Sequence, residues 1–139
     1  MNTSYRPEDL QTVERGLLID GEEVPAKSGK TFERFSPAHN RLVGRFPSAG
    51  ADDADRAIRA ASRAFNGPWS QTSGAERADI LHSVASLIRD RQEELALLET
   101  ADTGKPIQQA RGETADSAGL WEYAATHARQ NYGDAHNHL

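Results

Sequence analysis

The chain has 139 residues, no cysteine, and a formal net charge of −5 with both signs mixed along its length. That length is about one domain. The missing thiols exclude a disulfide scaffold, a cysteine-rich zinc site and a thiol nucleophile within these residues, and the missing basic face excludes an ordinary nucleic-acid binder. Hydrophobic residues make up 37% and aromatics 6%. That is polar for a self-contained globule, so part of the chain is expected to be tail, or to have its core completed by a partner. No segment approaches the roughly 18 consecutive apolar residues of a membrane span. The opening residues lack the apolar run of a secretory signal, so no membrane partner and a cytoplasmic location are expected.

In chain order, residues 1–16 are polar and aperiodic and read as a flexible arm. Leu17-Leu18-Ile19 followed by Asp20-Gly21 is a two-residue hairpin signal, with Glu22 to Val24 returning as the second strand. "GKTFERFSP" offers a strand around Phe32 and Phe35, ended by Ser36-Pro37. Leu42 to Phe46 is a further extended stretch, stopped by Pro47. Helices follow. Asp52 can cap the first, and Asp53 and Asp55 add negative charge at its positive end. Ala54, Ile58, Ala61 and Phe65 recur on one helical face, and Asn66-Gly67-Pro68 ends the element.

Ser73 to Glu76 has the capping-box pattern. Ile80/Leu81, Val84, Leu87/Ile88, Leu95 and Leu98 then hold the helical period through to Gly104, predicting one long second helix. Pro106 suits the first turn of a third helix. Its face is Ile107, Ala110, Thr114, Ala118, Trp121, Ala125 and Ala128, with Gly133 as its expected end. The predicted fold class is α+β: short amino-terminal strands and a hairpin, then three long α-helices.

Chemical motifs are scarce. Two Gly-Lys steps, Gly29-Lys30-Thr31 and Gly104-Lys105-Pro106, resemble phosphate loops. A phosphate loop of that kind needs another glycine five residues earlier, where this chain has Val24 and Glu99. Both steps read as turns. No G-x-G-x-x-G fingerprint is present. His136-Asn137-His138 has no third ligand in a rigid frame and reads as a chain end. His39, His82 and His127 are isolated. Asp52-Asp53-Ala54-Asp55 lacks the glycine and distal glutamate of a calcium loop and is explained by helix-start electrostatics. Trp121, Tyr123 and Tyr132 read as packing rings rather than base-stacking ones.

The order of the pieces nonetheless resembles the amino-terminal part of an aldehyde dehydrogenase. The matching pieces are Leu18-Ile19-Asp20-Gly21-Glu22, Phe35-Ser36-Pro37-Ala38, Asp52 to Phe65, Trp69, Glu76-Arg77-Ala78-Asp79-Ile80-Leu81, Leu98 to Pro106, and Tyr123-Ala124-Ala125. The resemblance implies that residues 17–139 are part of the cofactor-side region of that α/β fold, an incomplete domain. It implies oxidation of an aldehyde to a carboxylic acid with NAD or NADP, through a cysteine thioester. The nucleophile, the general-base glutamate and the cofactor-binding βαβ units of the family are not among these residues. The chain alone is therefore expected to be inactive and to bind no dinucleotide. Its expected partner is the remainder of an aldehyde dehydrogenase fold; self-association as a non-catalytic helical module is the alternative. The resemblance also implies a monovalent-cation site built from the carbonyls of Arg34 and Phe35 and the carboxylate of Asp102. Asp102 as a plain helix-end residue is the other reading.

Overall fold

The computed structural model describes residues 11–130. Five short strands precede four helices: β1 (Val13–Glu14), β2 (Leu17–Ile19), β3 (Glu22–Val24), β4 (Thr31–Phe35), β5 (Leu42–Pro47), α1 (Ala51–Asn66), α2 (Gly74–Asp90), α3 (Gln92–Thr103) and α4 (Ile107–Arg129), with a 3₁₀ turn over Pro68–Gln71 between α1 and α2. Gly133, Tyr132 and the two carboxy-terminal histidines lie outside the described residues.

The hairpin forms as its turn dictates. Leu17 pairs with Val24 and Ile19 with Glu22. Asp20 and Gly21 both take positive φ, 58° and 82°, the geometry whose twist matches the flanking strands. A second sheet has the order β1-β5-β4, with β1 parallel and β4 antiparallel to β5. Val13–Glu14, counted in the sequence with the amino-terminal arm, thus form a paired strand. Opposite Arg34 and Phe35, β5 carries one extra residue: Arg34 pairs with Gly44 and Phe35 with Leu42, so the buried Val43 is left between them.

α1 starts one residue before the expected cap. Gly50 is the N-cap, and Asp53, not Asp52, closes the helix start by accepting from the Gly50 N–H at 3.1 Å. Asp53 also accepts from the Lys27 N–H at 3.1 Å, which ties α1 to the segment after the hairpin. At α2, Ser73 and Glu76 form the reciprocal box: Ser73 Oγ accepts from the Glu76 N–H at 3.2 Å, and Glu76 accepts from the Ser73 N–H at 2.7 Å. Gly104 ends α3 in the left-handed conformation, φ 78°, as the Gly-then-Pro punctuation requires. Pro106 is the N-cap of α4 rather than its first helical residue.

The single long second helix expected from the apolar period is two helices. The chain breaks at Arg91, φ −111° and ψ 19°, with neither glycine nor proline at that position. Immediately after the break, the Gln92 side chain donates to the Arg111 carbonyl at 3.0 Å, and Glu93 pairs with the Arg111 guanidinium at 2.5 Å. These anchors draw the start of α3 onto α4. The leucine period continues across the break, so the pattern gave no sign of it.

α2 and α4 run antiparallel. Arg129 pairs with Asp79 at 2.5 Å and Arg89 with Glu122 at 2.6 Å, so one helix ascends as the other descends. They meet very closely: a Cβ at Gly74 would collide with the Ala128 carbonyl. The predicted small-residue face of α4 is inward, with Ala110, Ala118 and Ala125 fully buried. They are matched by buried Ala78 and Ala85 on α2 and Ala96 and Ala101 on α3.

The core is otherwise thin. Among the described residues the buried apolar side chains are alanines and Val43, and the largest side chain with essentially no exposure is that of Ser36. Large apolar groups face outward instead. The apolar face of α1 read from the sequence is exposed, Ile58 at 68% and Phe65 at 69%. Leu18, Ile80, Leu87, Leu120 and Tyr123 are also exposed, and Trp121 is partly so. β4 is exposed along its whole length.

Candidate functional site

The two Gly-Lys steps are turns. Gly29 donates its N–H to the Ala26 carbonyl at 2.9 Å, and the Lys30 N–H donates to Ser28 Oγ at 3.2 Å. Lys105 is held between Glu99, 2.7 Å away on α3, and Glu113 on α4. Those two carboxylates hold its ammonium above its ordinary pKa, Glu113 more than Glu99. A lysine neutralised on both sides serves as a clasp between two helices.

Helix starts are the other common phosphate cradle. Here α1 opens on Asp52 and Asp53, α2 on Glu76, and α3 on Glu93 and Glu94. Asp53 accepts hydrogen bonds from the Gly50 and Lys27 backbone N–H groups, and these hold its carboxyl below the ordinary aspartate range. The Ser73 backbone and hydroxyl do the same for Glu76. Negative side chains already fill these three helix starts and oppose a pyrophosphate there. The acidic run at α1 is accounted for residue by residue, since Asp52 pairs with Lys27 at 2.6 Å and Asp55 with Arg59 at 2.8 Å.

An open groove of about 330 Å³ lies between the hairpin and the three-stranded sheet, floored by Val24, Pro25 and Phe46. Its charged rim is internally paired: Arg45 with Glu33 at 2.9 Å and Glu14 at 3.6 Å, and Arg15 with Glu23 at 3.9 Å. Nothing converges on its interior as a nucleophile and base would. His127 stacks edge-on against Tyr123 with ring centroids 4.4 Å apart. Among the described residues no three His, Cys, Asp or Glu side chains cluster as a metal site.

Of the residues that the family resemblance singles out, the structure joins Arg34 and Asp102. Arg34 and Phe35 end β4, and Asp102 sits in the last turn of α3. Between them the Ser36-Pro37-Ala38 turn packs on Gly104, close enough that a Cβ there would meet Pro37 Cγ at 3.2 Å. Ser36 Oγ and Thr100 Oγ1 are buried at this junction without a hydrogen-bond partner among the described residues. Asp102 meets the Arg34 side chain: Nε donates to Oδ1 at 2.5 Å, and Nη2 donates to the Asp102 carbonyl at 3.2 Å. The carboxylate holds the guanidinium above its ordinary pKa. As arranged, the donor set does not fit a cation at Asp102, because the one carboxylate already carries a positive partner. Sequence reasoning looked to the Arg34 backbone and passed over its side chain. The available signal was an arginine two residues before Ser36-Pro37.

These elements, in this order, are shared with known proteins. Residues 24–138 match the sequence profile described as the aldehyde dehydrogenase family. A 3-sulfolactaldehyde dehydrogenase of Pseudomonas putida is 39% identical over 126 residues, covering 91% of this chain and 26% of that protein. An aminoaldehyde dehydrogenase of Zea mays is 40% identical over 115 residues, 80% of this chain and 23% of its own length. Among solved structures, an NAD-dependent aldehyde dehydrogenase from Sinorhizobium meliloti superposes with a TM-score of 0.85 at 49% identity, over 89% of this chain and 25% of that one. A mutant aldehyde dehydrogenase from Bacillus cereus gives 0.86 at 34% identity, over 100% of this chain and 29% of that one. The chain spans about a quarter of the length of the relatives it matches. With the profile, the curated relatives and the superposed folds in agreement, this chain belongs to the aldehyde dehydrogenase family.

Proposed function

We propose that this chain supplies the amino-terminal portion of an NAD- or NADP-dependent aldehyde dehydrogenase and that residues 1–139 alone carry no catalysis. The observation that carries the reading is the inverted core. Alanines are inside, while Ile58, Phe65, Leu87, Leu120 and Tyr123 lie outside, as helices do when a larger body is meant to cover them. In that assembly the remainder of the fold provides the thiolate that attacks the aldehyde carbonyl and the site that takes the hydride. These residues provide shape: a hairpin, a small sheet and a helical layer against which the catalytic body rests.

The test is direct. Purified chain is incubated with short aliphatic, aromatic and amino aldehydes and with NAD or NADP, and reduced cofactor is followed by absorbance. The expected result is no aldehyde-dependent reduction. Turnover by a homogeneous sample refutes the proposal. The same exposed faces support a second reading, a non-catalytic module that self-associates. Light scattering on the eluted protein distinguishes it, since a discrete oligomer independent of concentration favours the module.

A further inference from the structure

Arg34 on β4 and Asp102 on α3 are 68 residues apart and joined by two hydrogen bonds. A single guanidinium serves a carboxylate and a helix-end carbonyl at once. That carbonyl is one of the groups left without an intrahelical partner at a helix carboxy-terminus, and the fork geometry of arginine suits such double engagement. A bound monovalent cation makes the same two kinds of contact, one positive charge shared between a carboxylate and neighbouring carbonyl oxygens.

We infer that the Arg34 guanidinium is a built-in substitute for a monovalent cation at Asp102, so that β4 is joined to α3 with neither sodium nor potassium between them. The position is fixed from both sides. The Ser36-Pro37-Ala38 turn rests on Gly104, which holds the end of β4 against the end of α3. Ser36 is kept in place by its N–H donating to the Arg41 carbonyl at 2.8 Å and its carbonyl accepting from the Asn40 N–H at 2.8 Å. Among the described residues Asp102 belongs to no group of three His, Cys, Asp or Glu side chains that could hold a metal ion. A cation added beside Arg34 would put two positive charges on one carboxylate. Removing the guanidinium leaves one carboxylate and the Asp102 carbonyl oxygen without that partner at the same junction, the oxygen donors a cation takes.

The test uses the 139-residue chain, sodium chloride as the probe, ²³Na line broadening as the readout, and far-ultraviolet circular dichroism to show that each variant remains helical. Wild type is expected to broaden the sodium line no more than Asp102→Asn does. Arg34→Gln and Arg34→Thr are expected to gain broadening that potassium competes away and that a second change, Asp102→Asn, abolishes. Arg34→Lys is expected to stay silent, because the positive charge persists. Broadening in wild type that Asp102→Asn removes would overturn the inference. So would helical Arg34→Gln and Arg34→Thr chains that gain none.

Discussion

The double variant Ile58→Ser/Phe65→Ser separates a face built for a partner from one that serves the chain itself. Both side chains lie on α1 and are about two-thirds exposed, at 68% and 69%. Fully burying such a group is worth about 1.5–3 kcal/mol. The two-thirds still in water therefore represents about 2–4 kcal/mol for the pair, realised only when something covers them. Isoleucine, phenylalanine and serine have nearly equal helix propensities, so the helix itself loses little. The expected outcome is an unfolding free energy unchanged to within about 0.5 kcal/mol per site, together with a marked fall in fluorescence of a hydrophobic dye. Urea unfolding followed by circular dichroism at two protein concentrations makes the measurement. A loss of about 2–4 kcal/mol at the lower concentration would show that the face is already covered within a single chain, and the reasoning would fail. A loss confined to the higher concentration would point to a second copy as the cover.

Two further outcomes follow from the helix termini. Gly104→Ala should destabilise the chain by about 1–2 kcal/mol from the left-handed backbone alone, with a further contribution from the Pro37 contact; Gly104→Asn should cost less, and urea midpoints rank the three. Asp53 sets an acid limit. Its folded pKa lies below the ordinary value of 3.8, so its contribution is present above that value and is lost as the pH falls through the depressed one. Lys27, whose ammonium Asp52 holds above its ordinary pKa, stays charged throughout that window and does not offset the loss. Acid titration of the helical signal should therefore show a steeper decline for wild type than for Asp53→Asn, which should already be less stable at neutral pH. Equal acid slopes would exclude Asp53 as the source.

Local punctuation was readable from the residues because its causes are local. Asp20-Gly21, Ser73 with Glu76, and Gly104 each act within four residues of themselves, and each sits where expected. Long-range effects were not readable. The break at Arg91 depends on Gln92 and Glu93 reaching Arg111 on another helix. The parallel pairing of Val13–Glu14 with β5 joins residues some thirty positions apart. The exposure of Ile58 and Phe65 agrees with the expectation that a partner completes the core. An apolar stripe announces that a helix packs, but not whether its counterpart belongs to the same polypeptide. At the candidate site, position was legible through the family resemblance, while the chemistry at Asp102 was decided by a side chain that spacing alone does not single out.

The alanine seam between α2 and α4 makes mutation there a one-way affair. At Ala78, Ala85, Ala118 and Ala125 there is almost no side chain left to trim, so no vacancy can be opened to loosen the helices. Every replacement other than glycine adds bulk, and in close-packed contacts added bulk forces the backbones apart. The seam thus works as a calliper, holding two rods at their minimum separation. Glycine avoids the bulk but costs about 1 kcal/mol in a helix interior, which leaves serine as the mildest replacement at those four positions.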